Sequence, residues 1–299
     1  MTEAISSKQD PKAQLIQFAW HMKKQGYSEP TIECYGVVLK QLTNRGADLV
    51  DVESVKETIA SQHTWGNGRK LIAVKAYTAY LKMQGLVWSK PKYKPVRKLP
   101  FIPTEIEVDV LISECSPQMA AYLLMMKETG ARCGEVLQLK WADVDSVNGT
   151  VRITPEKGSN PRVLKISAKL LSMLNTIRKT DRVYNYTSQY YARKTFIRQR
   201  KRIAKKYDNP RLLMIHFHTL RHWKATMEYA RTKDILHVMQ LLGHRDIKTT
   251  LKYTQLIGFS YDEYCCKTAK TVEEATKLIE TGYEYVTDIE GYKLFRKRK

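Results

Sequence analysis

The chain has 299 residues, with 51 Lys and Arg against 30 Asp and Glu and a formal net charge of +21. Such an excess draws a protein toward polyanions, nucleic acid first, with a solubilising surface as the plainer alternative. A hydrophobic content of 43% supports ordinary cores, but no apolar run approaches the ~20 residues that span a bilayer, which argues against a membrane protein.

The opening residues, MTEAISSKQD, are polar and lack the apolar core of a signal peptide. Residues 12–25 and 29–43 have helical spacing, with Gly26 ending the first and Ser28 and Pro30 starting the second. Further helices are expected over 52–62 and 69–83. The last carries Arg69, Lys70 and Lys75, either a solvated face or a DNA-contacting one. Residues 1–88 are therefore read as a small helical domain. The stretch 89–103 holds four prolines and five basic residues, among them Lys92 and Lys94. It reads as an extended basic linker, suited to lie along a phosphate backbone. From residue 104 to the end a second domain is expected. PQMAAYLLMMKETG is a strongly apolar helix closed by Gly130. Strands at 150–154 and 162–167 flank the turn-rich PEKGSNP, which predicts a hairpin. Helices follow over 168–179, 188–206, 219–231 and 233–242. The second of these carries eight Lys or Arg, including Arg193, Lys194 and Arg198, and is read as a phosphate-contacting face. The tail has one helical stretch and a terminal hairpin turning at Gly291. The five cysteines form no CxxC pair, which fits a reducing cytosol and neither a disulfide framework nor a zinc site.

Several polar residues ask for chemistry. Asp143 and Asp145 lie together in WADVD, but no third carboxylate accompanies them, so they are read as structural and not as metal ligands. GARCGEV places Arg132 after a glycine break and Glu135 one helical turn on. HTLRHW puts His218 and Arg221 on one helix face. LLGHRDIKTTLKYT sets Tyr253 nine residues after His244. Arginines hold phosphate oxygens in a bidentate fork and stay charged at every working pH. Each piece alone is weak.

As an ordered set, Arg132, the EKG hairpin, HTLRH and LGH followed by Tyr253 resemble the tyrosine recombinase, or phage integrase, family. The resemblance spans about 104–254. It implies a mainly α fold with a small β-hairpin or sheet, in two domains: a helical core-binding domain and an α+β catalytic domain. It also implies that Tyr253 attacks the scissile phosphate and that Arg132 and Arg221 clamp it. His218 would be the general base or share that role through the phosphate, Lys157 at the hairpin turn would be the general acid, and His244 a phosphate ligand. Glu135 would support the arginine. The basic, Thr-rich segment before Tyr253 is read as a flexible bridge.

The expected activity is cleavage and rejoining of DNA through a covalent 3′-phosphotyrosine, without cofactor or metal and so undiminished in EDTA. The expected partner is double-stranded DNA bearing a specific site. The chain would act as a homotetramer on two duplexes, be a monomer or dimer when free, and work in the cytoplasm at the nucleoid. An integrase of a mobile element is the first reading and an Xer-like resolver of chromosome or plasmid dimers the second. An inactive DNA-binding relative and a topoisomerase-like relaxing enzyme stand as further alternatives. The tail is similar to those of archaeal members, and is expected to pack on a neighbouring subunit.

Overall fold

The chain divides into two units between Lys98 and Leu99. The computed structural model describes residues 11–96, 98–156, 158–178, 180–256, 264–289 and 291–298. Lys157, Tyr261 and the side chain of Tyr264 lie outside the described set.

The first unit is four helices: α1 (Pro11–Lys24), α2 (Glu29–Thr43), α3 (Val52–Ala60) and α4 (Asn67–Met83). Asp51 caps α3 by accepting the Glu53 N–H, satisfying a donor the first turn leaves open. Phe18, Val38, Leu39, Leu42, Val55 and Ile59 meet the inner face of α4, where Ala73, Tyr77, Tyr80 and Leu81 are buried. The buried phenols keep partners: Tyr77 donates to the Leu49 carbonyl, and Tyr80 bonds Gln14 Oε1. The proline-rich stretch is extended, as its composition dictates, but is not detached throughout. Asn67 donates to the Lys94 carbonyl, and Lys70 stands over the Tyr93 ring, so its earlier half leans on α4. Ile102 is buried in the core of the second unit.

In the second unit Thr104 and Glu107 form a reciprocal cap that starts α5 (Glu105–Glu114). Next comes α6 (Pro117–Thr129), which is buried on nearly every side from Met119 to Met126, hence its unbroken apolar sequence. Gly130 ends it in the left-handed region at φ 61°. A short helix α7 (Cys133–Leu137) leads to β1 (Val144–Asp145), β2 (Thr150–Ile153) and β3 (Arg162–Lys165), an antiparallel sheet in that order. The expected hairpin is thus part of a three-stranded sheet, with Thr150 opposite Lys165 and Ile153 opposite Arg162. Helices α8 (Ala168–Thr176), α9 (Gln189–Lys206), α10 (Phe217–Thr232) and α11 (Ile235–Leu242) complete the body. The tail holds the expected helix and the expected hairpin, with Ile289 opposite Tyr292 across the turn at Gly291, and adds a strand that was not expected. β4 (Tyr264–Ala269), α12 (Val272–Glu280), β5 (Glu284–Ile289) and β6 (Tyr292–Arg298) build a second three-stranded sheet in the order β4-β6-β5. Among the described residues no helix is long and apolar enough to cross a membrane.

Candidate active site

Three segments far apart in sequence converge on α10. Arg221 is buried there at 1% exposure. One terminal nitrogen donates to the Gly130 carbonyl at 2.7 Å and the other to the Leu242 carbonyl at 2.7 Å. These are the open C-terminal carbonyls of α6 and α11, so two helix ends fix the plane of one guanidinium. Burial, then the charges of Arg132 and Arg162, lower its pKa to about 10, which still leaves it charged at neutral pH.

Arg132 stands at the N-terminus of α7. Its backbone N–H and its guanidinium both donate to Glu135, at 2.9 and 2.8 Å. The same guanidinium nitrogen donates to Ser159 Oγ at 2.8 Å, and Ser159 in turn bonds Glu135 at 3.1 Å. Arg162 of β3 donates to the other Glu135 oxygen at 2.7 Å. Burial alone would raise the Glu135 pKa, but the Arg162 hydrogen bond and the Arg132 contacts hold it down at about 2. Two arginines therefore share one carboxylate, and the cluster keeps a net positive charge.

Tyr253 lies in a 3-10 turn, Leu251–Leu256, at 1% exposure. Its hydroxyl is 3.0 Å from Nδ1 of His222. The Lys252 ammonium stands 5.0 Å from the centre of the same ring. His218 does not take the phenol: its ring meets His222 edge to face, with centroids 4.5 Å apart. The base expected at His218 thus sits one helical turn away from the imidazole that meets Tyr253. His222 escaped sequence reading because it follows Arg221 directly, although it lies four residues from His218, on the same helix face. His244 follows α11, and its Nδ1 is 2.8 Å from Thr250 Oγ1.

The segment between His244 and Tyr253 corrects a second expectation. It is not a flexible bridge but consecutive 3-10 turns, capped by Asp246 and anchored by Thr250 at 0% exposure. Side chains capable of satisfying their own backbone make a tight turn here where composition alone suggested slack.

Burial and the surrounding cations shift the three imidazoles of the site. Burial first, then Arg221, brings His218 to about 4. Burial and Lys252 bring His222 to about 3, and burial and Arg221 bring His244 to about 3. All three imidazoles are neutral at pH 7. Burial raises Tyr253 to about 12 against the opposing pull of Arg221 and Arg132, so the phenol holds its proton. The result is a partly buried, cationic cluster of neutral bases and fixed donors, suited to receive an anion.

The remaining sequence candidates divide. Flanking Lys157, Glu156 accepts from Gln189 at 2.9 Å and Ser159 bonds Arg132, so both shoulders of the hairpin turn are pinned. Arg193, Lys194 and Arg198 are exposed on α9. Their neighbours are not all available: Arg200 is buried, and Arg202 and Lys206 bond Glu114. Lys75, Lys92 and Lys94 are exposed. Arg69 is engaged by Gln41 at 2.7 Å and by the Trp65 ring, and Lys70 by the Ala60 carbonyl at 2.9 Å. Asp143 pairs with Arg152, and Asp145 closes a turn onto Val147 and Asn148.

Residues 104–257, more than half of the chain, match the phage integrase family. Over 277 residues the chain is 28% identical to the tyrosine recombinase XerA of Pyrococcus horikoshii, covering 89% of this chain and 94% of that one. It is 27% identical over 281 residues to the tyrosine recombinase XerD of Halalkalibacterium halodurans, covering 81% and 92%. A lambda integrase tetramer bound to a Holliday junction superposes with a TM-score of 0.65 at 14% identity, covering 84% of this chain and 79% of that one. The XerH site-specific recombinase in its pre-cleavage complex with difH gives 0.56 at 19%, covering 87% and 91%. At such identities these two structures establish the fold, a largely helical body with small antiparallel sheets.

Proposed function

The chain belongs to the phage integrase family of tyrosine recombinases, and from that premise we propose that it breaks and rejoins DNA at a specific site through Tyr253. The observation that carries this reading is the Tyr253 hydroxyl held 3.0 Å from an unprotonated His222, within a cluster that includes two fixed arginines.

The phenol at about 12 and the imidazole at about 3 do not exchange a proton at rest. A bound phosphodiester changes that balance. Its negative charge offsets Lys252, Arg221 and Arg132, which raises the imidazole pKa and makes His222 a competent acceptor. The Tyr253 oxygen then bonds to phosphorus as its proton passes to His222. The P–O bond to the 5′ oxygen breaks, and that oxygen takes a proton from Lys157, the acid at the hairpin turn. Arg132 and Arg221 stabilise the charge that gathers on the non-bridging oxygens, and His244 adds a hydrogen bond. His218 supports His222 by ring contact. One phosphate ester replaces another, so rejoining to a 5′-hydroxyl needs no external energy. Nothing in this sequence of steps requires a divalent ion.

The first unit, the extended basic stretch and the exposed cations of α9 hold the duplex by its phosphates. The active assembly is a tetramer on two duplexes, working in the cytoplasm at the nucleoid. Integration of a mobile element remains the first reading over dimer resolution, which uses the same site chemistry.

The test uses a library of nicked duplexes from the flanking genomic DNA, in EDTA. The wild-type chain should become covalently attached to one site, and paired copies of that site should recombine. Tyr253→Phe should bind the same duplex without attachment. Attachment by Tyr253→Phe, or relaxation of supercoils without recombination of paired sites, would refute the reading.

A further inference from the structure

Arg162 has no part in the chemistry just described, yet it joins three of its components. Its side chain is 6% exposed. Nη2 donates to Glu135, whose second oxygen receives Arg132, so one carboxylate is gripped from both sides. Nη1 reaches the Asn160 carbonyl at 3.4 Å. From there the contacts run on to His244. The Asn160 N–H donates to the Gly243 carbonyl at 2.9 Å. Gly243 adopts φ 67°, and a Cβ there would stand 2.7 Å from the Asn160 carbonyl and 2.9 Å from Arg162 Nη1. Only glycine permits this conformation together with this approach. The residue before His244 is therefore seated directly on Arg162 and its loop.

A plain structural salt bridge is the competing explanation. Arg162 Nε is buried and without a partner among the described residues. Burying a guanidinium with an unmet donor is unfavourable, and a buried ion pair is often no more stabilising than apolar side chains of the same volume. What such a group supplies better than an apolar one is direction: a planar fork fixed on two acceptors.

We propose that Arg162 is a positioning residue, which aims Arg132 through Glu135 and seats the His244 turn through Gly243, so that hairpin, first arginine and third histidine move as one body. The inference rests on the recombinase reading above.

Its test pairs Arg162→Met, close in volume, with Arg162→Lys, which retains the charge but not the fork. The full chain is assayed on the nicked duplex that the wild type captures. Arg162→Met should bind that duplex as the wild type does but form the covalent adduct about 100-fold more slowly at saturating DNA, the scale of loss for a displaced catalytic group. Arg162→Lys should recover part of the rate. In the free protein, amide hydrogen exchange at Asn160 and His244 should quicken in Arg162→Met. Wild-type adduct rates, or unchanged exchange at both amides, would overturn the proposal. So would equal losses of affinity and rate that Arg162→Lys does not mend. If the wild type itself formed no adduct, the recombinase reading would fall, and exchange at Asn160 and His244 would still decide whether Arg162 holds the turn.

Discussion

Helices α9 and α10 both carry cationic side chains, but most of those on α9 reach solvent while Arg221 of α10 does not. α9 directs Arg193, Lys194 and Arg198 into solvent, whereas α10 buries Arg221 and half-buries His222. In water the α9 charges are screened within about 10 Å at 0.1 M salt and attract any phosphate backbone alike. In the buried pocket the same kind of charge is fixed by carbonyls and acts at close range on each neighbour's pKa. Surface charge supplies affinity without direction. Buried charge supplies direction, at the expense of being held by specific partners.

Removing one charge from each helix should separate these roles. Arg221→Ala should lower single-turnover adduct formation by about 10²–10³-fold, the scale of losing one preorganised donor. It should also destabilise the fold by about 1–3 kcal/mol for each carbonyl left unpaired, at Gly130 and Leu242. Rapid-quench kinetics at saturating DNA and denaturant titration check the two parts, and a wild-type rate would break the comparison. The triple variant Arg193→Ala, Lys194→Ala, Arg198→Ala should leave that rate intact while weakening binding. Its plot of log affinity against log salt should be shallower by about 0.9 for each phosphate contact removed. An unchanged slope would mean that α9 faces away from the duplex.

The smallest effect concerns pH. The folded pKa values of His218, His222 and His244, about 4, 3 and 3, lie below the ordinary 6.5. Between those values and 6.5 the unfolded chain binds more protons than the folded one. Stability is therefore complete above about pH 6.5 and declines as pH falls below it. Glu135, at about 2 against 4.5, adds a loss in the same direction below pH 4.5. Denaturant midpoints should fall from pH 7.5 to 5 in the wild type and fall less in His244→Asn. Equal midpoints at the two pH values would show that these imidazoles are not held neutral.

Much of this layout was legible because order along the chain carries it. Gly130, Arg132, the hairpin, His218, Arg221, His244 and Tyr253 stand where a run of helices and one sheet brings them to a common pocket. The long helices were legible too, since α6 is apolar nearly throughout and α10 buries Phe217, Leu220 and Trp223 at helical spacing. What stayed hidden depends on contacts between segments. Arg162 looks like any strand arginine until Glu135 is seen against it. His222 reads as a spare neighbour of Arg221 until the 3-10 turn delivers Tyr253 to it. The Thr-rich stretch looked slack because its order comes from Thr250 reaching His244, which no local pattern announces. β4 was missed because YCCKTA lacks alternation, and it becomes a strand only by pairing with β6, whose residues lie near the end of the chain.

The central claim is that one phenol forms the bond to DNA. Its most direct test is mass spectrometry of the peptide covalently joined to the captured duplex, after proteolysis and nuclease digestion in EDTA. The account expects a single modified residue, Tyr253, bearing a 3′-linked nucleotide. Attachment at any other of the 18 tyrosines, or cleavage that leaves no peptide on the 3′ end, would contradict it.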